Sequence, residues 1–225
     1  MAEPTTVFDE HASHYNGPRR QLIPPFESFY GTAIGAIGLA GTDPRRILDL
    51  GAGTGMLSAM VLDAYSEASV TLFDFAPSML EKAAASLDDS RAETVVGDMY
   101  KAIPEGPWDA IVSALAIHHL TDEGKGFVYR SACEQLKPGG VFVNAEHVYG
   151  PTEEMDAEYR RWHRDKAHEA GITDEDWAAA VERMTHDHLI PLSDQLRLLS
   201  EAGFTDVDCL FKDHGFAVLF ARKAS

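Results

Sequence analysis

Short apolar runs alternate along this chain with longer stretches whose apolar residues recur every three to four positions. Runs that read as strands begin at Ile47, with Asp49 near its end, and continue at Val70 to Phe73, Glu93 to Val96, Asp109 to Ala114 and Val141 to Ala145. Helical patterns fall between them at Gly55 to Tyr65, Pro77 to Leu87 and Glu123 to Leu136, the last with a stripe of Val128, Ala132 and Leu136. Strand–helix alternation with short turns predicts an α/β fold with a doubly wound, mostly parallel sheet. A helix from Ser193 to Ala202, closed by Gly203, precedes two further strands, Asp206 to Lys212 and Ala217 to Arg222. The three-residue turn Asp213-His214-Gly215 between them forces a hairpin, so one final strand is antiparallel.

Two segments stand outside this alternation. Residues 1–45 should form one or two helices, with the apolar stretch Phe29 to Leu39 packed on the sheet. In residues 151–190, Met155, Tyr159 and Trp162 are spaced for one amphipathic helix. Trp177, Val181 and Met184 are spaced for another, opened by Thr173 as a cap with Asp176 three residues on. The expected organisation is a single domain over 1–225, with an N-terminal helical cap (1–45) and an inserted helical lid (151–190) over the carboxyl end of the sheet.

Chemistry is concentrated in Ile47 to Gly55, ILDLGAGTG. Glycine lets the backbone take positive φ and lets a ligand approach the main chain. The unpaired N–H groups opening the next helix face that ligand. A nucleotide-like cofactor is therefore expected across the carboxyl end of the sheet. A dinucleotide fingerprint would place its third glycine at position 56, which is Met56; here it falls at Gly55.

The resulting G-x-G-x-G, preceded by Asp49, resembles motif I of the class I S-adenosylmethionine (SAM)-dependent methyltransferases. Later signals extend the resemblance from about Val7 to Lys223: Asp74 after the second strand, Gly97-Asp98-Met99 after the third, His118-His119-Leu120 after the fourth, and an LKPGG turn, Leu136 to Gly140, just before the fifth. The resemblance implies a Rossmann-like seven-stranded sheet with SAM as cofactor and S-adenosylhomocysteine as product. It implies cofactor contacts at Asp49, Gly51, Ala52, Gly53, Thr54 and Gly55, and at Asp74, Phe75 and Met79, with Asp74 on the ribose hydroxyls. Asp98 would receive the adenine amino group and Met99 would pack on the ring. Backbone carbonyls near Ser113 and Ala114 would hold the amino group of the methionine end. Tyr15 and Arg20, with Arg19 beside it, lie in FDEHASHYNGPRR, where the family often closes a tyrosine or arginine over that end.

Charge narrows the acceptor. The formal net charge is −17, against the basic surface a nucleic-acid enzyme needs, so a small-molecule acceptor is expected and nucleic acid is disfavoured. With no 18-residue apolar run, no leader-like N-terminus and only Cys133 and Cys209, the chain reads as a cytoplasmic monomer or homodimer without a membrane span. Ten histidines are many for 225 residues. His118, His119, His147, His186 and His188 could face one pocket, and His119 and His147 are the candidates for a catalytic base. No H-x-x-x-H or cysteine cluster marks a metal, so no metal site is expected.

Other readings remain open. The lid, the EAGF turn (Glu201 to Phe204) and the hairpin also resemble carboxy-SAM synthase of tRNA wobble-uridine modification, but Leu198 falls where that enzyme needs an arginine, and Arg197 would have to face the pocket. A SAM-binding protein without methyl transfer would show the same loop. Met56 and the LKPGG turn disfavour a nicotinamide dehydrogenase.

Overall fold

The structure, a computed structural model, describes residues 18–41, 43–87 and 90–225. Seven strands form one sheet: β1 (Arg46–Leu50), β2 (Ser69–Asp74), β3 (Ala92–Val96), β4 (Trp108–Ala114), β5 (Leu136–His147), β6 (Thr205–Asp213) and β7 (Phe216–Arg222). Their spatial order is β3-β2-β1-β4-β5-β7-β6. β1 to β5 pair in parallel, while β7 runs antiparallel to both β5 and β6. The expected fold class and terminal hairpin are therefore present.

Successive side chains on a strand point to opposite faces, so a strand covered on both sides reads as a continuous apolar run. Ile47 enters one core with Val112, Val143 and Val218, while Leu48 enters the other with Ile111, Phe142 and Leu219. The first core is covered by α1 (Phe26–Ile37), α2 (Met56–Ala64) and α3 (Pro77–Leu87); the second by α4 (Asp122–Gln135) and α7 (Leu192–Glu201). As expected, the N-terminal apolar stretch packs on the sheet: Phe29 lies edge-on to Phe216, ring centroids 5.7 Å apart.

The insertion forms α5 (Glu153–Glu169) and α6 (Asp174–Met184). The Thr173 hydroxyl accepts the Asp176 N–H at 3.1 Å, the cap that the sequence indicates. The LKPGG segment differs from expectation. β5 begins earlier, with Leu136 paired to Trp108, and the register then jumps so that Ala110 pairs with Val141. Residues 137–140 are thus a bulge within β5, with Gly139 at φ 75°, rather than a turn before it. A strand that loops out and resumes reads in sequence as a turn followed by a shorter strand.

Chain order reverses between β1 and β4: the chain runs outward to β2 and β3, then returns to the other side of β1. Ligands of open α/β sheets bind in the crevice at the carboxyl ends of the strands at such a reversal.

Candidate active site

A cavity of about 420 Å³ opens at this reversal. Asp49, Gly51, Ala52, Gly53, Met79, Ala114 and Leu115 form one wall. His118, His119, His147, His163 and Asp187 form the other, and Leu22, Ile23 and Tyr30 from the N-terminal segment, with Ala180, Arg183 and Met184 from α6, complete the enclosure.

The glycine wall is built from backbone. Gly51 has φ 71°, and a Cβ there would lie 2.3 Å from the Ala116 Cβ, so only glycine fits beneath the loop. At Gly53, with φ 54°, a Cβ would meet nothing within 4 Å, so the main chain faces open space that a ligand can occupy. Asp74 fixes this shape: one carboxylate oxygen accepts the Gly53 N–H at 2.8 Å and the other the Ala76 N–H at 2.9 Å. Each oxygen keeps a further lone pair. Asp49 is buried beneath the loop and accepts the Ser58 hydroxyl at 2.6 Å. Burial, with the nearby Asp74 charge, outweighs that bond and pushes its carboxyl up to about 7.

The remaining expected cofactor positions are distributed unevenly. Met99 approaches Gly51 from below, its Cε 3.1 Å from where a Gly51 Cβ would stand. Asp98 is half exposed, pairing with Lys101 at 3.3 Å and accepting the Tyr100 N–H. Ser113 is fully buried and its hydroxyl donates to the Leu50 carbonyl at 2.7 Å, so its side chain serves the β1–β4 junction. Gly55 caps α2, and Thr54 precedes it in the loop. Phe75 is 75% exposed and lies outside the cavity wall. Arg20 also lies outside it, paired with Glu27 and stacked 4.9 Å over Phe26. Tyr15 lies outside the described residues. Leu115, which the sequence did not single out, holds φ 51° immediately after β4, a strained setting for leucine at the cavity wall.

The histidine wall is built from side chains. His118 is buried, and its Nδ1 lies 2.6 Å from Glu146 Oε1, itself fully buried. Burial opposes protonation of His118, but the Glu146 charge and hydrogen bond, with Asp187, outweigh it and raise its pKa. His119 Nδ1 lies 3.1 Å from Asp187 Oδ1, and its ring is half exposed. Burial pulls the Asp187 carboxyl up, but the His119 hydrogen bond and the His118, His119 and His147 rings prevail and lower it. His147 stacks on Phe216 with centroids 5.1 Å apart. Desolvation, reinforced by His163 and His118, pushes it down to about 3, so it is neutral at physiological pH. His163, which sequence reasoning missed, donates from Nε2 to the Leu22 carbonyl at 2.7 Å and ties α5 to the N-terminal segment. His188 lines a neighbouring hollow between α5 and α6 instead.

A family model described as "Methyltransferase domain" matches residues 47–140, which span the glycine loop, β1 to β4 and the start of β5. This match, with the methyltransferase relatives and structural neighbours, supports a class I SAM-dependent methyltransferase. SAM is the cofactor of this family, and the open Gly53 backbone, the lone pairs of Asp74 and the buried Asp49 form a donor and acceptor set that fits it. An uncharacterized methyltransferase of Geobacillus sp. (strain WCH70) is 28% identical over 222 residues, covering 96% of this chain and 87% of that relative. A malonyl-[acyl-carrier protein] O-methyltransferase of Geobacter sulfurreducens is 32% identical over 148 residues, 62% of this chain and 55% of the relative. Human N-acetylserotonin methyltransferase, solved in complex with SAM, shares the fold with a TM-score of 0.63 at 17% identity; the match covers all of this chain and 61% of that one. This methyltransferase chain thus spans little more than half the length of the latter two proteins.

The likeness to carboxy-SAM synthase finds no support. Arg197 is exposed and paired with Glu201 and Asp194, while Leu198 packs against the second core. Neither borders the cavity.

Proposed function

We propose that this methyltransferase moves the methyl group of SAM to a small-molecule acceptor held against the histidine wall. The observation that carries the reading is one cavity joining the glycine loop to that wall, roofed by α6 and the N-terminal segment. SAM supplies an electrophilic methyl group on a sulfonium. The chain's task is to align the acceptor for in-line displacement and to exclude water. The acceptor atom's lone pair forms the new bond to the methyl carbon as the carbon–sulfur bond breaks, leaving S-adenosylhomocysteine.

In this reading Asp74 and the loop hold the ribose side, Asp49 faces the positive charge of the cofactor, and α5, α6 and the N-terminal segment act as the lid. Where the acceptor carries a proton, His119 takes it, with Asp187 stabilising the imidazolium that forms. His147, neutral and stacked on Phe216, shapes the wall. The cavity suits an acceptor no larger than a small metabolite. The net charge of −17 argues against nucleic acid, and the free thiols Cys133 and Cys209 fit a reducing, cytoplasmic setting.

The test is release of S-adenosylhomocysteine from SAM across a panel of thiols, phenols, amines and carboxylic acids. Acceptor-dependent release, reduced in His119→Gln with SAM affinity kept, is expected. Tight SAM binding with no release from any acceptor would favour a SAM-binding protein that transfers nothing.

A further inference from the structure

Among the described residues, His118, His119 and Asp187 each offer one ligand atom, and these atoms all lie within 4.8 Å of one another. Asp187 Oδ1 lies 3.1 Å from His119 Nδ1 and 3.6 Å from His118 Nε2. Two ligands about 2.05 Å from a tetrahedral zinc ion are themselves about 3.3 Å apart, between these two distances. The His118 contact is too long for a hydrogen bond and is an ion pair only while His118 is protonated.

The shell behind these atoms is also built. His118 Nδ1 is engaged by Glu146, which leaves Nε2, on the Asp187 side, as the nitrogen that can give up its proton to a cation. Glu146 is held in turn by the His147 N–H at 2.8 Å and the Asn144 amide at 3.3 Å. A ligating histidine whose other nitrogen donates to a buried carboxylate is the arrangement that fixes tautomer and orientation at metal centres. Asp187 is brought in by dedicated contacts: the His188 N–H donates to the His118 carbonyl at 2.8 Å, and the buried Lys125 ammonium donates to the His188 and Leu120 carbonyls.

We propose that His118 Nε2, His119 Nδ1 and Asp187 bind a divalent cation of the zinc class, with the remaining coordination position open to the cavity. Three protein ligands and an open position are what a catalytic rather than a structural zinc site presents. The consequence for chemistry rests on the methyl-transfer reading above. An acceptor hydroxyl or thiol bound at the open position loses its proton to solvent, because the cation stabilises the anion, and its lone pair is then presented to the methyl group. With the cation in place, His119 is a ligand and that proton no longer passes to it.

The experiment is calorimetric titration of the chelator-treated full chain with zinc chloride, paired with visible absorption of the cobalt(II)-loaded protein. One zinc per chain with a Kd on the order of 1 µM or tighter is expected, with cobalt absorption typical of a four- or five-coordinate site. Asp187→Asn and His119→Gln should each weaken zinc at least about tenfold, and so should Glu146→Gln through the carboxylate that orients His118. His186→Gln, outside the cluster, should change nothing. Circular dichroism on each variant separates lost ligation from lost folding, and His119→Gln, at a half-exposed position, decides the question if Glu146→Gln does not fold. Zinc binding that is weaker than about 100 µM, or that survives both Asp187→Asn and His119→Gln, overturns the proposal. SAM affinity measured on the same samples reports separately on the methyl-transfer reading, since neither residue belongs to the glycine wall.

Discussion

The two walls of one cavity are built on different principles. The glycine wall uses main chain: the five residues between β1 and α2 form a loop whose shape is fixed by positive φ and by the two bonds of Asp74. The histidine wall uses side chains from four separate places, the β4–α4 loop, the end of β5, α5 and the segment after α6. A wall made of backbone tolerates little substitution and keeps one ligand. A wall made of convergent side chains is adjustable one residue at a time, as acceptor specificity requires.

That contrast gives a graded set of tests. The largest effect belongs to Gly51→Ala. Its Cβ would press on Ala116 in a left-handed backbone setting, so a loss of about 2–4 kcal/mol in stability is expected, together with abolished SAM binding. Thermal melting and calorimetry read both; an alanine variant that melts and binds normally would remove the close-fit account of the loop. Next, Asp74→Ala removes the loop anchor and, in the proposed reading, the ribose acceptor, and SAM affinity should fall about 10- to 100-fold. His119→Gln, on the opposite wall, should leave that affinity nearly unchanged; if the two variants weaken SAM equally, the walls are not separate.

A smaller effect concerns pH. The Asp49 carboxyl sits near 7 in the fold against 3.8 ordinarily, so the folded chain holds a proton that the unfolded chain has released. Stability should therefore fall as pH rises from about 4 to about 7, and Asp49→Asn should flatten that slope. A cation in the cavity favours the ionised form, so SAM should bind about tenfold tighter at pH 8 than at pH 6. Flat SAM affinity over that range would place Asp49 out of contact with the cofactor's charge. The smallest effect is Thr173→Ala, which removes the α6 cap and should cost about 1 kcal/mol. Acceptor KM should move more than SAM affinity, because in the proposed reading α6 roofs the acceptor side.

The same contrast explains what could be read in the sequence. The strand–helix alternation, the hairpin and the loop were legible because each is written in consecutive residues. The helical insertion was legible from its apolar spacing and the Thr173 cap. The bulge at residues 137–140 was not, because a register jump leaves no local pattern. Asp187, His163, Glu146 and Lys125 escaped notice for a related reason. Their partners, His118 and His119, Leu22, His118, and His188, lie far away in sequence, and only the folded sheet brings them together. The expectation of no metal site rested on ligand spacing within one element, a criterion blind to a cluster assembled from two loops. Arg20 shows the converse: an arginine in a suggestive pattern is committed to Glu27 and Phe26 instead.

The measurement closest to the central claim is calorimetric titration of the full chain with SAM and, separately, with NAD. One SAM per chain with a Kd on the order of micromolar, and no heat from NAD, is the predicted result. Absence of SAM binding, or NAD binding in its place, would contradict the assignment of the glycine wall and with it the proposed methyl transfer.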